Sequence, residues 1–365
     1  MDNLIPLEHY TAFYYYVLMV IVLVTFLHSK ILGIDELKNH KFIRTAGLLL
    51  FVFVVLYMGL RPISGTYFGD MGTYNQYFEG YQHGVTEISN SDVGFDLFMR
   101  GCSAIMTAQM FFFLCAIIYV MPIFYLSKKW FPVYWFYAFL ILVSSFSFWS
   151  YGVNGIRNGI ATSLFLMAIT FAERKMIMII FLFLACSVHK SILLPTIAYT
   201  LTLVNNNPKK YFYAWLVAIP LSLVLGGFFE TFFQGLGFAD RTVGYLTNLD
   251  EEIELGKAGF RWDFILYSAL GVYAGYYFVI IKGFKDELYN HLLNTYLLTN
   301  AIWILVIRAN FSNRFAYLSW FMIGLIIIYP LLKQRLFENT NRAIGNVLLF
   351  YFLFTFFMNV ILAEH

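Results

Sequence analysis

Tyr10-Thr-Ala-Phe-Tyr-Tyr-Tyr-Val-Leu-Met-Val-Ile-Val-Leu-Val-Thr-Phe-Leu27 is an uncharged, apolar run, and it decides the fold. A helix of that length rises about 27 Å at ~1.5 Å per residue, close to the ~30 Å hydrocarbon core of a bilayer. Further apolar runs follow at Phe42–Leu60, Cys102–Leu126, Trp130–Trp149, Ile156–Ala172, Met176–Val188, Ser191–Val204, Tyr211–Phe229, Asp263–Ile281, Leu292–Ile307, Phe315–Leu332 and Ile344–Leu362. The composition agrees: 60% of the 365 residues are hydrophobic and 12% charged, about half the charge of a soluble domain. The expectation is an all-α, polytopic membrane protein of about 12 transmembrane helices, forming a single integral membrane domain over residues 1–365. The first ten residues hold no Lys or Arg, so a secretory leader with a basic start is not expected.

Two of the runs are short. Met176–Val188 and Ser191–Val204 would each rise roughly 20 Å, less than the bilayer core. Their joining turn, Val188-His189-Lys190-Ser191, is therefore expected below the membrane surface or in a re-entrant hairpin lining a cavity.

Basic residues orient the chain. Loops after the odd-numbered runs hold 15 of the 24 Lys and Arg, which makes them cytoplasmic by the positive-inside rule. Residue type then splits: 11 of 13 lysines fall inside, whereas Arg61, Arg100, Arg157, Arg241, Arg261, Arg308 and Arg314 fall outside. Topology selects charge and has no reason to exchange lysine for arginine; bidentate recognition of phosphate or carboxylate does. Two outer loops are also long, about 61–96 and 230–262, a length suited to binding. In the first, Tyr74, Tyr77, Phe78 and Tyr81 recur at helical spacing, so a short amphipathic helix is expected with Asp70 as its N-cap. The second is acidic, with aromatic residues including Phe260 and Trp262.

At the start of the fifth run, Ser150-Tyr-Gly-Val-Asn-Gly-Ile-Arg-Asn-Gly-Ile-Ala-Thr-Ser-Leu164 reads as a turn opening into a helix. Asn154 is a candidate N-cap, and Arg157 then falls in the first turn, against the helix dipole. Either Arg157 reaches toward lipid headgroups, or an anion sits between guanidinium and helix start. Arg308-Ala-Asn-Phe-Ser-Asn-Arg314 repeats the pattern, and two such starts would suit a diphosphate held from both sides. Arg61, stopped by Pro62, is either an interface anchor or a third anion contact, and Lys190 can contact an anion as well. Asp70 is either a cap or a general base. His189 is either an interhelical hydrogen-bonder or a functional group. Tyr74, Tyr77 and Trp262 offer flat faces to sugar rings or form an interfacial belt.

No zinc-ligand spacing, phosphate-binding Gly-rich loop, Gly-x-Ser-x-Gly or Asp-x-Asp is present, and Cys102, Cys115 and Cys186 lie within apolar runs. No metal, cofactor or nucleic-acid partner is expected. What remains is a reaction at the outer face in which guanidinium groups stabilise a leaving diphosphate.

Arg61, the Gly65-x-x-x-Gly69-Asp70-x-x-x-Tyr74 loop, Arg157-Asn158-Gly-Ile-Ala161 and His189-Lys-Ser191 together resemble the EpsG-like branch of Wzy-type polysaccharide polymerases. Asn158 stands where that pattern has Gln. The resemblance implies a fold similar to GT-C-type membrane glycosyltransferases. It implies polymerisation of undecaprenyl-diphosphate-linked oligosaccharides at the outer face of the bacterial plasma membrane, with the active site facing the periplasm or exterior. A flippase and a chain-length regulator are the implied partners. Of the two candidate bases, His189 is favoured for the acceptor, with Asp70 orienting acceptor or arginines. A multi-pass transporter and a cell-envelope acyltransferase are the rival readings; the concentration of polar groups on one face, without a repeat between halves, speaks against the transporter.

Overall fold

The computed structural model describes residues 5–85, 92–235, 260–308 and 312–362. All regular structure among them is helical. The helices are α1 (Leu7–Ile31), α2 (Leu37–Gly59), α3 (Gly65–Phe68), α4 (Asp70–Gln82), α5 (Val93–Ser103), α6 (Ala108–Trp130), α7 (Trp135–Val143), α8 (Phe148–Val153), α9 (Ile156–Thr170) and α10 (Lys175–Val188). A 3-10 turn (Lys190–Ile192) leads into α11 (Leu193–Val204). Then come α12 (Pro208–Gly235), α13 (Trp262–Tyr276), α14 (Glu287–Leu305), α15 (Ser312–Trp320), α16 (Ile323–Lys333) and α17 (Thr340–Phe356).

Seven helical stretches among the described residues are long and apolar enough to cross a membrane, so the chain is a polytopic membrane protein. They are Leu7–Ile31, Leu37–Gly59, Ala108–Trp130, Pro208–Phe229, Trp262–Ile281, Phe315–Lys333 and Thr340–Ile361. Each of the other five apolar runs is also helical. Three of them form the shorter apolar helices α9, α10 and α11. The run Trp130–Trp149 is interrupted between α7 and α8 at Ser144-Ser-Phe-Ser147, where hydroxyls compete for backbone partners: Ser144 Oγ donates to Ile141 O at 3.3 Å.

The chain divides into two compact units, residues 1–192 with 328–365, and residues 193–327. In the first, α7 is apolar all round and every one of its nine residues is buried, as expected for a helix at the centre of a bundle. Neighbours α2, α6 and α17 enclose it. Gly47 of α2 opens a notch that the Trp135 ring of α7 fills, leaving no room for a Cβ. The break after α7 frees the carbonyl of Val143, and a tyrosine supplies its partner: Tyr14 Oη donates to Val143 O at 2.7 Å. Tyr119 Oη adds a bond to Phe148 O, in the first turn of α8, at 3.1 Å. Away from water such groups must find protein partners.

In the second unit α14 packs against α11, α12 and α15. Its buried Asn300 accepts from Trp215 Nε1 at 2.7 Å and donates to Ser268 Oγ (3.0 Å) and Ser319 Oγ (2.9 Å). This is the polar cross-linking expected of helices in lipid, where apolar burial alone gives little preference among partners.

Candidate functional site

α9 and α10 form a hairpin, turning at residues 171–174. Antiparallel pairing returns the end of α10 to the start of α9, so His189 arrives beside Arg157. α5 docks by its N-terminus on the end of α10. The approach is close: a Cβ on Gly94 would lie 2.5 Å from Ser187 Oγ and 2.7 Å from the Ser187 carbonyl. That contact delivers Asp92, the residue preceding α5, into the gap.

Asp92 is the centre of the site, and it is only 3% exposed. Its Oδ2 accepts from Arg157 Nη1 at 2.7 Å and lies 3.0 Å from His189 Nδ1. Its Oδ1 accepts from the Lys190 amide at 3.1 Å. Aspartate at the N-cap position ordinarily caps its own helix, but this side chain makes no cap bond to α5. It serves instead the first amide of the turn entering α11. Burial on its own raises the carboxyl pKa; the His189 hydrogen bond and charge, the Arg157 guanidinium and the Lys190 amide outweigh it and hold the group down at about 2.

Arg157 occupies the second position of α9, after Gly155 at the N-cap. The anion that a cation demands at this end of a dipole is the protein's own Asp92 carboxylate. The guanidinium forks: Nη1 goes to Asp92, and Nε donates to Tyr74 Oη at 3.0 Å, with the Tyr74 ring 5.4 Å away. Nη2 makes no hydrogen bond among the described residues.

Asn154, expected to cap α9, caps a different helix. Its Oδ1 accepts from the Asp70 amide at 2.9 Å, an orphan donor at the start of α4. Asp70 is thus the first residue of α4, and the expected capping position belongs to Gly69 at φ 54°, in the left-handed region that suits glycine. A Cβ there would also strike the Asn154 amide. The Asp70 carboxylate is half-buried and makes no hydrogen bond or ion pair among the described residues, though its charge acts on Arg157.

Ser191 Oγ donates to Asn158 Oδ1 at 3.2 Å, tying the turn after His189 to the first turn of α9. Lys190 is exposed. Arg61 has gone inward: 1% exposed, it donates to Met58 O and, at 3.4 Å, to Val153 O, between the Phe68 and Phe112 rings. These carbonyls belong to the C-terminal ends of α2 and α8, where a cation is favoured. Arg61 therefore pins the elbow that carries Asn154.

The amphipathic α4 forms as the aromatic spacing requires, burying Met71, Tyr74 and Phe78. Tyr74 is 4% exposed, its hydroxyl engaged by Arg157 and its ring 5.5 Å from Phe95, whereas Tyr77 is 55% exposed. In the second unit Trp262 is 54% exposed with its ring 4.5 Å from Phe260. Arg308 donates to Leu223 O at 3.4 Å and lies over Phe260. Arg314 stands in the first turn of α15, and its side chain lies outside the described residues. So do most of the loop 230–262 and residues 86–91 of the loop 61–96, the two loops expected on the outer face.

The sequence reading missed Asp92. Its one signal was an aspartate directly ahead of the apolar helix Val93–Ser103 on the arginine-rich side, a pattern that reads as a cap. Chemically, the arrangement pairs a histidine with a buried, ionised carboxylate. With Asp92 ionised the imidazole proton belongs on Nδ1, which makes Nε2 the basic nitrogen.

The model of the EpsG family matches residues 44–365 of the chain. No curated protein and no solved structure is matched.

Proposed function

This chain belongs to the EpsG family, a family of membrane-embedded polysaccharide polymerases, and on that premise we propose that it joins undecaprenyl-diphosphate-linked repeat units at the outer face of the bacterial plasma membrane. The growing glycan is the donor and an incoming lipid-linked unit the acceptor. An acceptor hydroxyl oxygen attacks the anomeric carbon of the donor sugar, the bond from that carbon to the diphosphate oxygen breaks, and the electron pair leaves on the diphosphate. The hydroxyl proton passes to His189 Nε2. Asp92 holds the ring in the correct tautomer and stabilises the imidazolium that forms. Arg157 and Lys190 meet the developing diphosphate charge, and Asp70 orients the acceptor. Arg308 and Arg314 are the further anion contacts that the sequence pattern suggests.

The observation that carries this reading is convergence. Tyr74, Arg157 with Asn158, and His189 with Ser191 come from three separated stretches, and all meet directly around or beside one carboxylate. A packing histidine needs no such company. The outer-face assignment rests on the excess of Lys and Arg in the opposite set of loops, and the arginines on this face suit recognition of a diphosphate.

The test is transfer in proteoliposomes. Wild-type protein given lipid-linked repeat units should yield a ladder of lengthened glycans with release of undecaprenyl diphosphate. His189→Ala should lose the ladder while still retaining the lipid-linked substrate. Acyl transfer without glycan growth, or transport of the unit unchanged, would defeat the proposal.

A further inference from the structure

At the opposite end of α2 and α6 from this site lies a crevice of about 480 Å³, lined by His40, Ile43, Arg44, Leu48, Lys128, Pro132, Val133 and Trp135. Arg44 and Arg61 stand near the two ends of one helix, so roughly 22 Å of α2 separates the crevice from the reaction site. Among the described residues no carboxylate lines it. Arg44 is exposed and makes no hydrogen bond or ion pair among the described residues. Lys128 is also exposed, and its charge rests over the Phe124 and Trp135 rings at 4.9 and 5.1 Å. His40 Nε2 is buried without a hydrogen-bond partner. Beside these cations are apolar walls: Leu48 and Val133 are exposed, Ile43 and Trp135 form the floor, and the Gly47 notch fixes the Trp135 ring.

A pair of uncompensated cations at the mouth of an apolar slot, at a membrane boundary, matches one chemistry: a phosphodiester headgroup whose acyl chain lies along the slot. We propose that this crevice binds an anionic phospholipid of the leaflet at the lysine-rich end, which is the inner leaflet under the orientation proposed above. The neighbouring cavity at the same end, about 600 Å³, makes the contrast. Its Lys30, Arg335 and Arg342 are balanced by Asp35, Glu36 and Glu338, and Arg335 is already paired with Asp35. It has no net demand for an anion.

The test uses full-length protein in nanodiscs carrying a phosphatidylglycerol or a phosphatidylcholine with a photoactivatable acyl chain, with cross-links mapped by peptide mass spectrometry. Phosphatidylglycerol should label the 43–48 and 128–135 peptides in preference to phosphatidylcholine. The preference should fall roughly fivefold for each cation removed in Arg44→Gln and Lys128→Gln. Arg44→Lys with Lys128→Arg should retain it, as should Lys38→Gln with Lys41→Gln, which removes equal charge outside the crevice. Equal labelling by both lipids, an equal fall in the Lys38/Lys41 control, or displacement by millimolar inorganic phosphate would each overturn the proposal.

Discussion

Asp92 Oδ2 and His189 Nδ1 lie 3.0 Å apart, although 97 residues of sequence separate them. The same oxygen holds Arg157, so the proposed base and the proposed anion-binding group share one carboxylate. A shared atom couples their positions: neither can shift without a response from the other.

Coupling predicts non-additive losses. Asp92→Asn should slow glycan transfer on the order of 10²-fold, as should His189→Ala, the scale of a positioned general base. The double variant should be no slower than the worse single one, because groups acting as a unit are lost together. Single-turnover rates with preformed lipid-linked units make the comparison; multiplicative losses would mean that the two residues act separately.

The Arg157 fork predicts intolerance of lysine. One ammonium cannot reproduce planar contacts to both Asp92 and Tyr74. Arg157→Lys should be nearly as inactive as Arg157→Ala, whereas Tyr74→Phe, which removes the Nε partner and leaves the Asp92 contact, should cost about 1.5–3 kcal/mol, the range for a hydrogen bond to a charged group. Transfer rates and chemical unfolding in detergent measure the two effects. A wild-type rate in the Arg157→Lys variant would remove the fork from the mechanism.

The pH dependence has a definite sign. The folded carboxyl of Asp92 is depressed to about 2, from an ordinary aspartate value near ~3.9. Its contribution to stability is therefore fully present above about pH 4 and is lost as pH falls through about 2. Asp92 stays ionised throughout pH 5.5–8, so an acid limb in transfer there must come from another group. His189→Ala should abolish that limb; its survival would transfer the role of base to Asp70.

Two glycines of α5 provide a paired test of the docking geometry. Gly94→Ala forces the helix away from Ser187, whereas nothing lies within 4 Å of a Cβ on Gly101. Gly101→Ala should leave transfer intact and raise stability by roughly 0.5–1 kcal/mol through helix propensity. Gly94→Ala should lose transfer, because α5 carries Asp92. Equal behaviour of the two would show that the tight approach does not position the carboxylate.

The exposed aromatic faces bear on polymer length. Tyr77→Ala and Trp262→Ala should shorten the glycan ladder while single-unit transfer continues, since each removes a flat apolar face and no charged group. Unchanged ladders would assign these rings to the interfacial belt.

The apolar runs were legible because membrane helices announce themselves through length and missing charge; seven of the twelve lie in helices long and apolar enough to cross a membrane, and the other five in shorter, broken or more polar helices. Arg157 and His189 were legible because a cation against a dipole and an ionisable group between apolar spans are both costly without a purpose. Asp92 was not, since a capping aspartate and a bridging aspartate look identical in sequence; only the Gly94 approach to Ser187 decides which it is. The same holds for Asn154, which precedes α9 in the chain yet satisfies α4. The spacing of Tyr74 and Tyr77 announced the helix, but not that Tyr74 would face inward while Tyr77 faced out.

A bare arginine at a bilayer boundary would spend its life occupied by the phosphates of ordinary phospholipids, which outnumber any specialised lipid. Because Arg157 brings its own counter-ion, such a headgroup gains little by docking there. A ligand must offer enough negative charge to compete with Asp92, and a diphosphate carries more of it than a phosphodiester. On the proposed function, the resident carboxylate is then a filter that favours a diphosphate over the commoner headgroups around it.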